Sequence, residues 1–139
     1  MDRLTSEHRS WNMSRIKGRD TKPEIRVRSV LHRMGFRFSL QRRNLPGRPD
    51  IVLPRHGAAI FVHGCFWHRH KNCGNSVLPK TRQEFWLAKL NDNVERDRRS
   101  VIALKKLGWK VLTVWECEIE DELKLSRKLL SMLSKTQHG

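Results

Sequence analysis

The sequence predicts an α/β domain with a central mixed β-sheet flanked by helices. The apolar run "AAIFV" is typical of a strand inside a sheet, as is the later run "WKVLTVWEC", and "DIVLP" predicts a further strand before the first of them. Other segments place apolar residues three and four positions apart, which is typical of helices that cover a sheet. With 139 residues and 37% hydrophobic content, the chain is long enough to build one core.

The first part of the chain predicts an arm, a helix and three strands. Residues 1–20 are polar and basic, so we interpret them as an arm that carries a short helix. The next helix is expected to begin after Thr21 and to stop at Gly35. Alternation of apolar and polar residues over 36–40 predicts a half-exposed strand. The two apolar strands that follow are expected to form a hairpin through residues 55–57.

The second part predicts a long helix, one strand and a final helix. Thr81 and Glu84 form a candidate capping box for a helix that runs to Gly108. The segment "WKVLTVWEC" is interpreted as a second buried strand, and residues 121–134 as an amphipathic helix. Helices and strands that alternate in this way favour a mixed sheet with helices on its faces.

The charge of the chain indicates a polyanionic partner. Lys and Arg total 29 against 14 Asp and Glu, which gives a formal net charge of +15. A charge of this size attracts nucleic acid from a distance, although a basic solvated surface is the alternative. No run approaches the ~20 apolar residues that cross a bilayer, and the N-terminus lacks a secretory pattern. We therefore expect a cytoplasmic protein with no membrane partner.

The segment "FVHGCFWHRHKNC" concentrates side chains that bind metals. Four of them lie within nine residues: Cys65, His68, His70 and Cys73. A further cysteine, Cys117, ends the last apolar strand. Three thiolates and one imidazole would complete a tetrahedral zinc site. The spacing does not decide which histidine binds, and the alternative is that the cysteines are buried as small hydrophobic side chains.

Two acidic residues are candidates for chemistry. Asp50 opens an apolar strand, where its carboxylate could hold Mg²⁺ beside a phosphate, although Pro-Asp is also ordinary turn chemistry. Asp97 falls within the apolar stripe of the long helix, and a buried carboxylate needs a partner. That partner is either an imidazole from residues 63–70, which the acid would orient as a base, or an arginine at the edge of the stripe.

Three aromatic residues are interpreted as a wedge for DNA. Phe66 and Trp67 are hard to bury together in a loop flanked by charged residues, and exposed rings can enter a base stack and kink a duplex. Trp86, at the start of the long helix, could add a third ring. The alternative is a small satellite core over the zinc site. Trp109 and Trp115 are expected in the main core.

Five blocks of the chain carry a family resemblance: "RDTKPE", "LPGRPDIV", "HGCFWH", "TRQEFWLAKLNDNVERDRR" and "GWKVLTVWEC". Together, and in this order over about residues 11–118, they resemble the very short patch repair (Vsr) endonucleases. The resemblance implies a type II restriction-endonuclease-like fold. It also implies Mg²⁺-dependent nicking of double-stranded DNA on the 5′ side of the thymine in a T:G mismatch, which arises when 5-methylcytosine deaminates.

The resemblance implies roles for the catalytic residues. Asp50 would bind Mg²⁺ together with the backbone carbonyl of Val62. His68 would be the base that activates the attacking water, and Asp97 would orient it. Further active-site roles would fall to two residues: Glu24, in contact with metal-bound water, and His63, as an auxiliary histidine near the phosphate.

The resemblance also implies the zinc ligands, the wedge and the partners. The structural zinc ion would be held by Cys65, His70, Cys73 and Cys117. The side chains that enter the duplex would be Phe66, Trp67 and Trp86, with Met13 inserted from the opposite groove. We expect a monomer at the bacterial nucleoid, functionally linked to mismatch-repair proteins, with a DNA-contacting arm over 1–20 and one endonuclease domain over 21–139.

Two other functions are compatible with these residues. One is a related nuclease that acts on branched or otherwise distorted DNA and shares the metal site. The other is a zinc-stabilised DNA-binding module without catalysis.

Overall fold

The computed structural model describes residues 21–40, 42–71 and 73–134. In these ranges the chain forms a mixed four-stranded sheet flanked by helices, which confirms the predicted class. The helices are α1 (Lys22–Arg33), α2 (Gln83–Lys106) and α3 (Glu122–Ser134). The strands are β1 (Ser39–Leu40), β2 (Ile51–Leu53), β3 (Ala58–His63) and β4 (Lys110–Trp115). The predicted arm, and Met13 with it, lies outside the described residues.

The order of the strands in the sheet is β1-β2-β3-β4. β2 pairs antiparallel with β1 and with β3, so the predicted hairpin between β2 and β3 is confirmed. β4 pairs with β3 in parallel, and His63 lies opposite Trp115 at the end of this ladder. Because parallel strands end at the same edge of a sheet, the segments that follow β3 and β4 leave the sheet side by side. This arrangement brings Cys117 next to the loop that contains Cys65.

α1 begins and ends where its sequence predicts. The side chain of Thr21 accepts a hydrogen bond from the amide of Glu24 at 3.4 Å, which satisfies one free amide of the first turn. After the helix, Gly35 adopts a φ of 88°, a conformation that a residue with a Cβ rarely takes. The apolar side chains that α1 buries are Val27, Val30 and Leu31.

The sheet separates two hydrophobic clusters. One lies between the sheet and the pair α1 and α3, and it includes Ile60 and Leu129. The other lies between the sheet and α2, and it includes Phe61 and Leu104. Neighbouring residues of β3 thus contribute to opposite clusters, because successive side chains of a strand point to opposite faces. None of the described helices is both long enough and apolar enough to cross a bilayer.

β1 is shorter than the alternation over residues 36–40 predicts. The amide of Phe36 donates to the carbonyl of Leu31 at 3.0 Å, closing the end of α1. That amide is therefore not available to the sheet, and pairing begins only at Ser39. The side chains of Phe36 and Phe38 pack half-buried against the core instead.

Two predictions around α2 and β4 are wrong. The Thr81 and Glu84 capping box does not form: Arg82 precedes α2 with a φ of 55°, and no side chain caps the helix. The predicted burial of β4 is also incorrect, because β4 pairs with β3 alone and lies at the edge of the described sheet. Val114 is its one fully buried residue.

Candidate active site and metal centre

The loop over residues 64–71, which we call the site loop, follows β3 and is folded tightly on itself. The amide of His68 donates to the carbonyl of Gly64 at 3.2 Å, and the amide of His70 donates to that of Cys65 at 2.9 Å. Between the two histidines, Arg69 has a φ of 51°, in the left-handed region that non-glycine residues seldom occupy. The reversal at Arg69 sends the two imidazoles to different neighbours.

The imidazole of His68 contacts Asp97, the acidic residue within the apolar stripe of α2. Its Nδ1 lies 2.5 Å from Oδ2 of Asp97, while Nε2 of His63 lies 4.0 Å from the other oxygen. Among the described residues, Asp97 therefore has histidine partners, one of the two alternatives that its spacing allows. A carboxylate that accepts from Nδ1–H fixes the tautomer and leaves Nε2 with a lone pair for a proton.

The rings of His63 and His68 stack 3.8 Å apart with an interplanar angle of 5°. Burial lowers the pKa of His63 to about 4, with a further decrease from His68 that Asp97 opposes. His63 is therefore neutral at pH 7. Donor atoms of both histidines and Asp97 lie within 4.8 Å of one another. Parallel rings, however, direct their nitrogen lone pairs in parallel planes, which is poor geometry for sharing one ion.

Asp50, which is half-buried, and Glu24, which is buried, form an acidic group next to His63 and His68. Oδ2 of Asp50 accepts from the amide of Val62 at 2.7 Å, one residue before His63. Glu24 is only 2% exposed. Burial raises the pKa of Asp50 to about 7; the charge of Glu24 raises it as well, and the Val62 amide lowers it. Two crowded carboxylates are stabilised by a cation, and oxygen ligands suit Mg²⁺, so these residues fit the ion that the sequence predicts.

Three thiols and one imidazole meet on the other side of the site loop. The donor atoms of Cys65, His70, Cys73 and Cys117 all lie within 4.8 Å of one another. Nδ1 of His70 is 3.6 Å from Sγ of Cys65 and 3.4 Å from Sγ of Cys117. In a tetrahedral zinc site, the usual Zn–S and Zn–N bond lengths place sulfur and nitrogen about 3.5 Å apart. The cluster therefore has the dimensions of a closed zinc site.

The thiols of this cluster do not ionise easily together. Burial and the neighbouring thiols raise the pKa of Cys117 to about 12, and burial raises that of Cys65. The pKa of Cys73 is lowered, chiefly by a hydrogen bond from the backbone of Asn75. A divalent cation would favour the thiolate form of all three. Cys73 and Cys117 are only half-buried, which does not fit the alternative of simple core residues.

Four aromatic rings form a cluster at the start of α2. Ring centroids of Phe66, Trp67 and Trp86 lie 5.3, 5.5 and 5.8 Å apart, all in edge-to-face contact. Phe85 extends the cluster 5.3 Å from Trp86 and is 45% exposed. The guanidinium of Arg82 covers the Phe85 ring at 4.4 Å. Half-exposed rings that support one another are suited to contact with a partner, and Phe85 is a member that pattern analysis did not single out.

α2 holds three consecutive residues of the site loop. The side-chain amide of Asn93 donates to the carbonyl of Trp67 at 3.0 Å. The guanidinium of Arg69 donates to the side chain of Asn91 at 2.6 Å. Asp97 bonds the intervening His68, as described above. These contacts fix the loop between the aromatic cluster and the zinc-type cluster, and Asn91 and Asn93 were not identified from sequence.

The contacts of three further residues were also missed. Trp115, expected in the core, stacks on His70 at 4.2 Å and meets His63 edge-on at 5.3 Å, so it lies between the two candidate sites. Glu116 accepts a hydrogen bond from the amide of Cys65 at 3.1 Å. Arg28 donates to Glu24 at 3.1 Å. The contacts of Trp115 and Glu116 depend on tertiary neighbours. The i, i+4 spacing of Glu24 and Arg28 within α1 is, in contrast, a signal that the sequence does carry.

Comparison with known proteins gives consistent matches. Residues 1–75 match the family model described as "DNA mismatch endonuclease Vsr". DNA mismatch endonuclease Vsr of Escherichia coli is 49% identical over 123 residues, covering 88% of this chain and 78% of that protein. Type II nicking enzyme V.XorIIP of Xanthomonas oryzae pv. oryzae is 46% identical over 132 residues, covering 95% and 96%. Type II nicking enzyme V.NmeAIP of Neisseria meningitidis is 41% identical over 121 residues, covering 87% and 86%.

Proposed function

The chain belongs to the DNA mismatch endonuclease Vsr family, and we propose that it nicks double-stranded DNA on the 5′ side of the thymine in a T:G mismatch. One observation supports this most directly. The Asp97–His68 pair and the acidic group of Asp50 and Glu24 adjoin through consecutive residues of β3, because Asp50 bonds to Val62 and His63 stacks on His68. A positioned base beside acidic oxygens that can hold a divalent ion is an arrangement suited to hydrolysis of a phosphodiester.

His68 is the proposed base. Asp97 holds its Nδ1, so Nε2 is free to take the proton from the attacking water. The carboxylate of Asp97 then stabilises the imidazolium that forms. The neutral ring of His63 packs on His68 and limits its rotation.

Asp50 and the carbonyl of Val62 are the proposed magnesium ligands, with Glu24 as an acceptor for water near the ion. When bound, Mg²⁺ supplies stabilisation of the negative charge that grows on the phosphate and on the departing 3′ oxygen. The pKa of the Asp50 carboxyl group is raised to about 7, so this group must lose its proton before it can bind an ion.

Cys65, His70, Cys73 and Cys117 are the proposed zinc ligands. A zinc ion there would tie the site loop to the segment after β4 and lower the entropy cost of ordering the aromatic cluster on DNA. Three rings of the cluster are the proposed wedge: Phe66, Trp67 and Trp86. Met13, from the arm, is proposed to enter the opposite groove.

We also propose a type II restriction-endonuclease-like fold, a DNA-contacting arm over residues 1–20 and one endonuclease domain over 21–139. We further propose a monomeric state, a functional link to mismatch-repair proteins and a location at the bacterial nucleoid.

A nicking assay with matched duplexes tests the proposal. The substrates carry the same sequence with a T:G, T:A or C:G pair at one position, and a four-way junction is added as a distorted control. With Mg²⁺ present, we expect a single nick 5′ of the thymine in the T:G duplex alone. Faster cutting of the junction would favour a nuclease for branched DNA, and tight binding without cutting would favour a non-catalytic module.

A further inference from the structure

Arg28 lies one helical turn after Glu24 and makes an ion pair that the proposed chemistry does not yet use. Its Nη2 donates to Oε2 of Glu24 at 3.1 Å. The side chains of the two residues are 17% and 3% exposed. Exposed ion pairs at this spacing contribute little to stability. A buried pair, in contrast, fixes the position of both groups, and the loss of either partner leaves the other charge buried and unpaired.

Both carboxylate oxygens of Glu24 accept a hydrogen bond. The hydroxyl of Thr21 donates to Oε1 at 3.3 Å, and Arg28 donates to Oε2. These two donors set the orientation of the carboxylate and reduce the electron density that it can offer to an ion. Such a carboxylate is better suited to accept hydrogen bonds from water around a cation than to bind the cation directly.

The charge of Arg28 also reaches Asp50. The pKa of Asp50 is raised chiefly by burial, and the positive charge of Arg28 opposes the negative charge of Glu24 in its effect on this acid. The ion pair with Glu24 therefore places one positive charge beside the acidic group, which makes the group less attractive to a cation.

We propose that Arg28 is a positioning residue that keeps Glu24 out of direct contact with the divalent ion and weakens binding of that ion. The divalent ion is then bound through Asp50, and the guanidinium retains attraction for the substrate phosphate. This inference rests on the proposed magnesium site at Asp50.

Manganese binding to the full-length, DNA-free protein tests the role of Arg28. Bound Mn²⁺ is counted from the loss of the free-ion signal in electron paramagnetic resonance, for the parent and for Arg28→Gln and Arg28→Lys. Arg33→Gln is the matched control, because Arg33 lies on the same helix and pairs with Glu122 at the surface. Single-turnover nicking of the T:G duplex and thermal unfolding are measured on the same samples.

We expect Arg28→Gln to bind Mn²⁺ about tenfold more tightly, because a positive charge near a divalent ion has been removed, and to nick about tenfold more slowly. Arg28→Lys keeps the charge and should resemble the parent, as should Arg33→Gln. A purely structural role would instead weaken both binding and nicking. Unchanged or weaker Mn²⁺ binding by a folded Arg28→Gln protein would therefore overturn the inference.

Binding by Asp50→Ala gives a second test, which separates the role of Arg28 from the magnesium site. We expect the parent to bind Mn²⁺ that Asp50→Ala does not bind. If Asp50→Ala loses this Mn²⁺ while Arg28→Gln binds it no more tightly than the parent, the role of Arg28 is overturned and the magnesium site is supported. Equal binding by the parent and Asp50→Ala would overturn both.

Discussion

The two candidate metal sites are only a few residues apart in the chain, yet they are built in opposite ways. Between Val62 and Cys65 the chain passes from the acidic group to the zinc-type cluster. In the cluster, four side chains converge and would fill a tetrahedral shell. In the acidic group, Asp50 is the one side chain proposed to bind the ion, since Glu24 is held by Thr21 and Arg28.

This difference separates structural from catalytic use of metal. A closed shell of thiolates and imidazole leaves no position for substrate, so its contribution is to hold the loop in place. A site with few protein ligands leaves positions open for water and phosphate, as a catalytic ion needs. Damage to the first site should therefore reduce stability, and damage to the second should reduce chemistry.

The largest expected effect is at Asp50. Asp50→Ala should reduce nicking of the T:G duplex by about a thousandfold or more, because the proposed ion loses its side-chain ligand. Binding of the duplex should change by less than about threefold, since the basic surface and the aromatic cluster are intact. Gel-shift titration and single-turnover nicking on the same protein measure the two quantities. Full activity in this variant would exclude Asp50 as the ligand.

The two neighbouring histidines provide the sharpest contrast. His68→Ala should lower the nicking rate by about a hundredfold or more and keep one zinc ion per chain, because only the base is lost. His70→Ala should lose zinc and unfold at a temperature roughly 10 °C lower, as should Cys117→Ser. Zinc is measured by mass spectrometry of the purified proteins. If His68→Ala lost zinc and His70→Ala kept it, His68 would be the zinc ligand and His70 the candidate base.

The pH dependence of stability should reveal the acidic group. The folded-state pKa of Asp50 is about 7, above the ordinary value of 3.8, so folding favours the protonated acid. Its contribution to the free energy of unfolding is present below about pH 4 and is lost as the pH rises through 7, by on the order of a few kcal/mol. The pKa of His63 is lowered to about 4, so folding favours its neutral form. The contribution of His63 to the free energy of unfolding therefore increases as the pH rises from 4 to 6.5.

The variant Asp50→Asn isolates this effect, because the His63 contribution is common to both proteins. Without added Mg²⁺, the difference in unfolding free energy between Asp50→Asn and the parent should increase from pH 4 to pH 8, in favour of the variant. Urea denaturation at several pH values measures it. A difference independent of pH would contradict the raised pKa of Asp50.

A smaller effect is expected at Phe85. Phe85→Ala should weaken binding of the T:G duplex by about threefold to tenfold, because the exposed ring extends the aromatic cluster. The variant should leave zinc content and the thermal midpoint unchanged, since the ring is 45% exposed. Leu107→Ala, an exposed apolar residue at the end of α2, is a suitable control. Equal binding by both variants would remove Phe85 from the contact surface.

Much of the fold could be predicted because its signals are local. The cap of α1 depends on Thr21 and Glu24 alone, and the hairpin between β2 and β3 follows from two apolar runs separated by a short turn. The length of β1 could not be predicted in the same way. It depends on the amide of Phe36, which bonds to the end of α1 rather than to a strand.

The contacts of the candidate site could likewise be predicted only in part. The residue types suggested metal chemistry, but the separation of His68 from His70 depends on the left-handed backbone at Arg69, which no glycine marks. The partner of Asp97 was equally open, because an apolar stripe shows that a side chain faces inward without showing what it meets. The contacts of Trp115 with both histidines exist only after the elements have packed.

The most direct test of a structural and a catalytic ion in separate sites is a crystal of the parent protein grown with Mn²⁺ and measured at the zinc and manganese absorption edges. We expect zinc anomalous signal among Cys65, His70, Cys73 and Cys117. We expect manganese signal at Asp50 and the carbonyl of Val62. Manganese shared by His63, His68 and Asp97, or zinc beside Asp50, would contradict this division of roles.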